Sequence, residues 1–131
     1  MRLEYTMLGV LILLALVQIL WAGNARTRQY GTDWNMGARD EKMPPLNPLG
    51  GRLLRAQANL FETLPLFVAA LLGAAAAGHL GRLTELGSVI YVAGRIVYLP
   101  LYATGVPKVR TLVWGISLIG LLMIWWALLF G

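Results

Sequence analysis

Four apolar segments, each close to the length that crosses a lipid bilayer, constrain this chain more than any other feature of its sequence. They cover residues 5–22, 60–78, 86–106 and 111–131. A membrane helix needs about 20 mostly apolar residues. Closed barrels also span membranes, but their strands alternate in polarity and these segments do not. The sequence therefore predicts an all-α, integral membrane four-helix bundle, as one domain over residues 1–131.

The composition agrees with a membrane protein. Of the 131 residues, 58% are hydrophobic and 13% are charged, whereas a soluble domain carries about 25% charged residues. We expect helices at about residues 4–23, 53–78, 84–104 and 108–130, with a loop over 24–52 that is rich in turn residues. A cleaved signal peptide is disfavoured, because the first apolar segment is longer than the usual stretch of about 7–15 residues and Arg2 is offset by Glu4.

The chain has no cysteine and a single histidine, His79. No disulfide can form, and the chain has no thiol nucleophile or thiolate metal ligand of its own. We therefore predict no metal site, and we expect His79 to be solvated in its glycine-rich turn. The net charge of +5 could indicate a nucleic-acid partner, but the basic residues lie between apolar segments, where they orient a protein in the bilayer. We predict no nucleic-acid partner.

Basic residues in the connections predict the orientation. Four spanning helices put both termini on one side of the membrane. The opposite side carries seven basic residues, namely Arg26, Arg28, Arg39, Lys42, Arg52, Lys108 and Arg110. The side of the termini has Arg2 and Arg82. The positive-inside rule then predicts a cytoplasmic first loop and both termini outside, periplasmic or lumenal.

Three polar residues of the second predicted helix share one face. Arg55, Asn59 and Glu62 stand at i, i+4 and i+7, so their side chains stack over about two turns. A carboxylate within a membrane helix costs about 2.5–3.5 kcal/mol on insertion scales. Glu62 must therefore meet a cation, a donor network or trapped water, and it is a functional-site candidate by default.

Further polar residues lie near the same predicted membrane level, in the third and fourth predicted helices or just beyond the end of the first: Arg26, Arg28, Arg95, Tyr98, Tyr102, Arg110 and Thr111. Together these residues hold more cations than Glu62 can neutralise. Arginine and hydroxyl donors suit an anionic ligand, because a guanidinium binds a carboxylate bidentately. Simpler explanations remain open for each group. A Glu62–Arg95 pair could serve folding alone, the tyrosines could be interfacial aromatics, and the outer arginines could be topological anchors.

The second and third segments resemble helices 2 and 3 of the MAPEG superfamily (membrane-associated proteins in eicosanoid and glutathione metabolism). The matching runs are Arg55-Ala56-Gln57-Ala58-Asn59-Leu60-Phe61-Glu62 with Leu64-Pro65-Leu66-Phe67, and Gly94-Arg95 with Tyr98 and Tyr102. Within this superfamily the two segments resemble those of microsomal glutathione transferases and leukotriene-C synthase. The loop segment 34–41 looks more like bacterial members, which implies a bacterial inner membrane.

The resemblance implies a homotrimer that binds glutathione, as cosubstrate, between neighbouring subunits near the cytoplasmic face. It assigns glutathione contacts to Arg55, Asn59, Glu62, Tyr98 and Tyr102, with Arg95 lining the site and Thr111 beside it. Arg110 matches the arginine that stabilises the thiolate, and Arg26 or Arg28 would come from the next subunit. Two departures are visible. The spacing from Tyr102 to Arg110 is one residue longer than in some eicosanoid members, and Trp114 stands where a tyrosine is often found.

The function implied is that of a glutathione transferase or peroxidase. The thiolate would attack a lipophilic electrophile, or a lipid hydroperoxide, that enters from the bilayer between subunits. The alternative is a non-catalytic membrane scaffold or accessory subunit whose Glu–Arg network is structural. A transporter or channel is disfavoured, because the chain shows no inverted repeat and its polar residues cluster at one face.

Overall fold

The computed structural model describes residues 2–131 and contains five α-helices in that range. They are α1 (Leu3–Tyr30), α2 (Thr32–Met36), α3 (Pro48–Ala76), α4 (Arg82–Ala103) and α5 (Lys108–Phe130). All except the short α2 are long and apolar enough to cross a membrane. The predicted all-α fold with four spanning helices is therefore confirmed, and the chain is a multi-pass integral membrane protein.

The predicted loop over residues 24–52 is largely helical in the structure. The first helix continues to Tyr30 and ends at Gly31, whose φ of 97° favours glycine. The next long helix begins at Pro48, where the side chain of Asn47 accepts a 2.8 Å hydrogen bond from the backbone N–H of Gly50. Asparagine as N-cap followed by proline is a preferred helix start. The expected boundaries 23 and 53 were wrong because apolar content, not capping, defined them.

Two apolar clusters fill the bundle at different levels. The first contains Leu11, Leu60, Phe67, Tyr91 and Ile124, and so joins α1, α3, α4 and α5. The second joins α1, α3 and α4 through Ala22, Leu53, Ala56, Leu99 and Ala103. The second lies at the end of the bundle that carries the connection from α1 to α3, which we call the loop end.

Helices α1 and α4 run in the same direction. At their N-terminal ends the hydroxyl of Thr84 donates a 2.6 Å hydrogen bond to the carboxylate of Glu4. At their C-terminal ends Ala22 and Ala103 share the second cluster. Glu4 is fully buried although it is acidic, and this bond accounts for one of its oxygens.

Small residues bring α4 and α5 into close contact. A Cβ atom on Gly120 would lie 2.5 Å from the carbonyl oxygen of Gly87, and one on Gly94 would lie 2.9 Å from the Cβ of Ser117. Small residues allow two helix backbones to approach this closely. In a bilayer such packing matters because helices associate through van der Waals contacts and hydrogen bonds, not through the hydrophobic effect.

His79 is not solvated as expected. Its Nδ1 lies 2.9 Å from the carbonyl oxygen of Ala127 and 3.1 Å from that of Leu128, so the half-buried ring contacts the last turn of α5. Both internal prolines, Pro65 and Pro100, lie within helices that continue on either side of them.

Candidate functional site

A cavity of about 300 Å³ opens at the loop end, where α3 and α5 begin and α4 ends. We call it the basic cavity. It is lined by Arg52, Arg55, Tyr102, Gly105, Pro107 and Arg110. Three arginines thus come from two different helices, and Tyr102 of α4 together with the loop between α4 and α5 forms the remaining wall.

Tyr102 contacts two of these arginines, one through its hydroxyl and the other through its ring. Arg55 Nε donates a 3.1 Å hydrogen bond to the Tyr102 hydroxyl, and the guanidinium carbon of Arg110 lies 4.5 Å from the centroid of the Tyr102 ring. Arg52 Nη1 donates to the carbonyl oxygen of Ala103 at 3.4 Å. Within residues 2–131 none of the three arginines forms an ion pair with a carboxylate. Their charges are therefore available to an external anion.

A second cavity, of about 230 Å³, adjoins the basic cavity and shares Arg110 with it. We call it the polar cavity. Its other lining residues are Asn59, Tyr98, Thr111 and Trp114. The buried Nε1 of Trp114 has no hydrogen-bond partner among the described residues. The two cavities together present cations, an amide and hydroxyls on either side of Arg110.

Arg95 lies behind the polar cavity rather than in its lining. It is 0% exposed, and its Nη1 donates a 2.8 Å hydrogen bond to Oδ1 of Asn59. Its guanidinium carbon also lies 4.5 Å from the ring centroid of Tyr98. Arg95 therefore supports two residues of the cavity wall from the interior of the bundle.

Glu62 is placed differently from the other residues of its predicted face. It is exposed on the surface of the chain, and in the described part of the protein it forms no ion pair. It lines neither the basic nor the polar cavity. Glu62 has no ion pair and no side-chain hydrogen bond among the described residues. The cation or donor network expected for it is therefore not supplied within one chain, where Arg95 bonds to Asn59 instead.

Arg26 lies against another face of α3. It lines a third cavity, of about 300 Å³, with Leu54, Gln57, Ala58 and Phe61. The Nε of Arg26 and the Oε1 of Gln57 are buried there without hydrogen-bond partners in residues 2–131. Sequence reasoning did not select Gln57, because it does not share the helix face of Arg55, Asn59 and Glu62. Arg28 is exposed and lines none of these cavities.

A wholly apolar groove continues along the same two helices, α3 and α5. Its volume is about 390 Å³, and its lining is Leu66, Ala69, Ala70, Leu121, Leu122, Trp125 and Leu128. Asn59 and Trp114, on the polar cavity, stand two turns before Leu66 and Leu121 on their respective helices. The cleft between α3 and α5 is therefore cationic at the loop end and apolar farther along.

The described residues contain no group of three or more histidine, cysteine, aspartate or glutamate side chains that could hold a metal ion. The chemistry of the cleft is that of guanidinium, amide and hydroxyl donors. Such donors recognise anionic groups, above all carboxylates.

Four spanning helices with an arginine-lined cleft at one end of the bundle define a small multi-pass membrane protein with a polar candidate site. A sequence model of the MAPEG family matches residues 6–130, so the chain belongs to the MAPEG family. Members of this family are mostly glutathione-dependent transferases or peroxidases, and they often form trimers. Searches of curated proteins and of solved structures gave no significant match.

Proposed function

We propose that this protein is a glutathione-dependent membrane transferase or peroxidase. The observation that carries the proposal is the cleft between α3 and α5, which has unpaired arginines at the loop end and an apolar groove beyond. A cleft of this kind fits a reaction between a charged, water-soluble thiol and a lipophilic partner. Membership of the MAPEG family supports glutathione as the thiol.

Glutathione carries two carboxylates, an ammonium group and a thiol, and the cavity residues suit these groups. Arg52 and Arg55 line the basic cavity without acidic partners, so each can bind a carboxylate. Asn59, Tyr98 and Thr111 offer an amide and hydroxyls in the adjoining polar cavity. The ammonium group needs an anion, and Glu62 is the acidic residue one turn beyond Asn59 on α3.

Arg110 is the residue proposed to stabilise the thiolate, because it lines both cavities. A free thiol has a pKa of about 8.5, so little of it is thiolate at neutral pH. Lowering that pKa by about two units requires about 2.7 kcal/mol of differential stabilisation. A guanidinium close to the sulfur in a partly dry site can supply this energy.

The proposed reaction begins when the thiol releases its proton to water at the open loop end. In conjugation, the thiolate forms a C–S bond, and the electron pair displaced from the electrophile takes up a proton or departs with a leaving group. In peroxide reduction, the thiolate attacks the terminal oxygen of the hydroperoxide and the O–O bond breaks. The products are a sulfenic acid and an alkoxide, which takes a proton from water to become the alcohol. A second glutathione then releases water and forms the disulfide. The lipophilic substrate would occupy the apolar groove and reach it from the bilayer.

A homotrimer would give Glu62 and Arg26 the partners they lack in one chain. Glu62 is exposed on a spanning helix, where contact with lipid is costly. Arg26 and Gln57 hold unpartnered buried atoms on another face of α3. Unlike surfaces that meet around a ring form a closed, head-to-tail assembly. We propose that the Arg26 side of one subunit completes the glutathione site on the Glu62 side of its neighbour, at the cytoplasmic face of the inner membrane.

Calorimetric titration of the purified protein with glutathione tests the proposed function. We expect binding with a Kd in the micromolar-to-millimolar range, and we expect it to be lost with glutathione whose two carboxylates are esterified. The ester is the matched control, because it keeps the thiol and the peptide while removing both negative charges. Absence of glutathione binding would instead favour the alternative of a non-catalytic scaffold or accessory subunit.

A further inference from the structure

Seven polar side chains are buried in the described residues: Glu4, Gln18, Thr63, Thr84, Ser88, Arg95 and Ser117. Most of them have partners. Glu4 bonds to Thr84, Thr63 bonds to Tyr91, and both serines donate to backbone carbonyls three residues earlier in their own helices. Two side chains in the middle of the bundle retain several unpartnered atoms, and these are Gln18 and Arg95.

The unpartnered side-chain atoms of Gln18 and Arg95 include both a hydrogen-bond acceptor and hydrogen-bond donors. Gln18 is 1% exposed, and neither its Oε1 nor its Nε2 has a hydrogen-bond partner in the described residues. Nη1 of Arg95 donates a hydrogen bond to Asn59, but Nε and Nη2 of Arg95 are buried without partners in the described residues. A guanidinium only donates hydrogen bonds, whereas an amide oxygen only accepts them. Leaving such groups unpaired in the interior is costly, and more so for a charged group.

The register of α1 and α4 puts these two residues at the same level. The two helices run in parallel, and Glu4 bonds to Thr84 across a separation of 80 residues. Leu11 and Tyr91, with the same separation, share the first apolar cluster. The same offset places Gln18 beside Tyr98, one turn from Arg95, on the buried faces of both helices. Ala15 belongs to the first cluster and Ala22 to the second, so Gln18 lies between them.

We propose that Gln18 is a positioning residue that holds Arg95 from behind, with its Oε1 accepting a hydrogen bond from one trapped water that in turn accepts from Nε or Nη2 of Arg95. Water fits better than an anion such as chloride, because an anion would leave Oε1 without a donor. The remaining oxygen of Glu4 cannot serve, because Thr84 stands about three turns along α4 from Arg95. The functional consequence rests on the proposed glutathione site, since Arg95 orients Asn59 and Tyr98 in its wall.

The first test observes Arg95 itself and does not depend on glutathione. The protein is labelled isotopically in arginine, and the Nε–H resonance of Arg95 is assigned by its loss in Arg95→Lys. We expect Gln18→Leu to shift this resonance and to accelerate its exchange with water. Leu11→Ala is the matched control, because it removes packing from the same face of α1 near Tyr91, and it should leave the resonance in place. An unchanged resonance in Gln18→Leu would overturn the proposal.

A second variant covers the case in which Gln18→Leu does not fold. Gln18→Glu keeps an acceptor and supplies a charge opposite the guanidinium, so the Arg95 Nε–H should stay protected from exchange while its resonance moves. An unmoved resonance in this variant would equally count against Gln18 as the acceptor.

Glutathione titration separates this inference from the proposed function. We expect Gln18→Leu to bind glutathione about tenfold more weakly with its oligomeric state unchanged, because one hydrogen bond to a charged group has about this value. Gln18→Glu should restore most of the affinity. If the wild-type protein binds no glutathione, the proposed function fails, whereas the resonance of Arg95 still decides the role of Gln18. Weakened binding with an unshifted resonance would overturn the positioning role.

Discussion

The buried guanidinium of Arg95 donates a 2.8 Å hydrogen bond to the amide oxygen of Asn59. This bond joins α4 to α3 behind the polar cavity. It pairs a buried cation with a neutral amide, while the acidic Glu62 stays exposed on the outside of the chain. The positive charge of the cleft is therefore not neutralised within the subunit, which is the condition an anion-binding site requires.

Replacing Arg110 should impair the chemical step more than any other substitution in the cleft. Arg110→Leu removes the cation common to both cavities, so we expect kcat/KM for glutathione conjugation to fall about 100-fold, the equivalent of two pKa units of lost thiolate stabilisation. The ultraviolet absorbance of bound thiolate should disappear in parallel. Lys108→Ala is the matched control, since Lys108 is exposed and lines neither cavity. A full rate in Arg110→Leu would remove Arg110 from the mechanism.

Neutralising Glu62 separates ligand binding from assembly. Glu62→Gln keeps the size of the side chain and removes the charge proposed to bind the glutathione ammonium. We expect an intact trimer and a glutathione Kd raised about tenfold, within the range for a lost charge-assisted hydrogen bond. Size-exclusion chromatography with calorimetry measures both properties, and Glu41→Gln, in the exposed connection before α3, serves as the control. Loss of the trimer with unchanged affinity in the remaining protein would indicate a structural role.

A single methyl group at the α4–α5 contact should destabilise the bundle. Gly120→Ala would place a Cβ 2.5 Å from the carbonyl oxygen of Gly87 and 2.6 Å from the backbone nitrogen of Tyr91. Backbone atoms cannot move aside easily, so we expect a loss of about 1–3 kcal/mol in the free energy of unfolding, as for other overpacked contacts. Thermal unfolding in detergent measures it. Gly115→Ala in the same helix meets no atom within 4 Å and should leave the melting temperature unchanged or slightly higher. Equal effects of both variants would refute the close-contact explanation.

Orientation in the membrane can be measured by labelling single introduced cysteines, because the sequence contains no cysteine of its own. Met36 is 82% exposed in the connection between α1 and α3, and Arg82 is exposed at the opposite end of the bundle. With a membrane-impermeant maleimide applied from outside intact cells, we expect labelling of Arg82→Cys and protection of Met36→Cys. The reverse pattern would place the loop end outside and contradict the positive-inside assignment.

The fold could be predicted from the sequence because a bilayer requires long helices with internally satisfied backbones. Apolar length therefore indicated all four spanning helices. Helix ends depend instead on local caps. The C-cap Gly31 and the N-cap Asn47 set two helix ends inside a region that composition alone predicted as loop.

The site could be predicted only in part. Helical periodicity grouped Arg55 with Asn59, and Arg95 with Tyr98 and Tyr102, and the structure brings these residues together on facing helices. Periodicity does not give the rotation of one helix against its neighbours. It therefore could not show that Glu62 lines neither cavity, or that Arg26 shares a cavity with Gln57 rather than with Arg55. The burial of Gln18 could not be predicted either, because a lone amide in an apolar segment carries no spacing signal.

The graded polarity of the α3–α5 cleft has a practical consequence for work on this protein. The cleft has cations at its open end and apolar walls farther along, so it is complementary to a fatty acid or an anionic detergent. Such amphiphiles should compete with substrate for the same space, and purification itself can then mask activity. Lipid nanodiscs made from zwitterionic phospholipids should avoid this inhibition. Stepwise addition of a fatty acid to the nanodiscs should then lower the activity in proportion to the amount added.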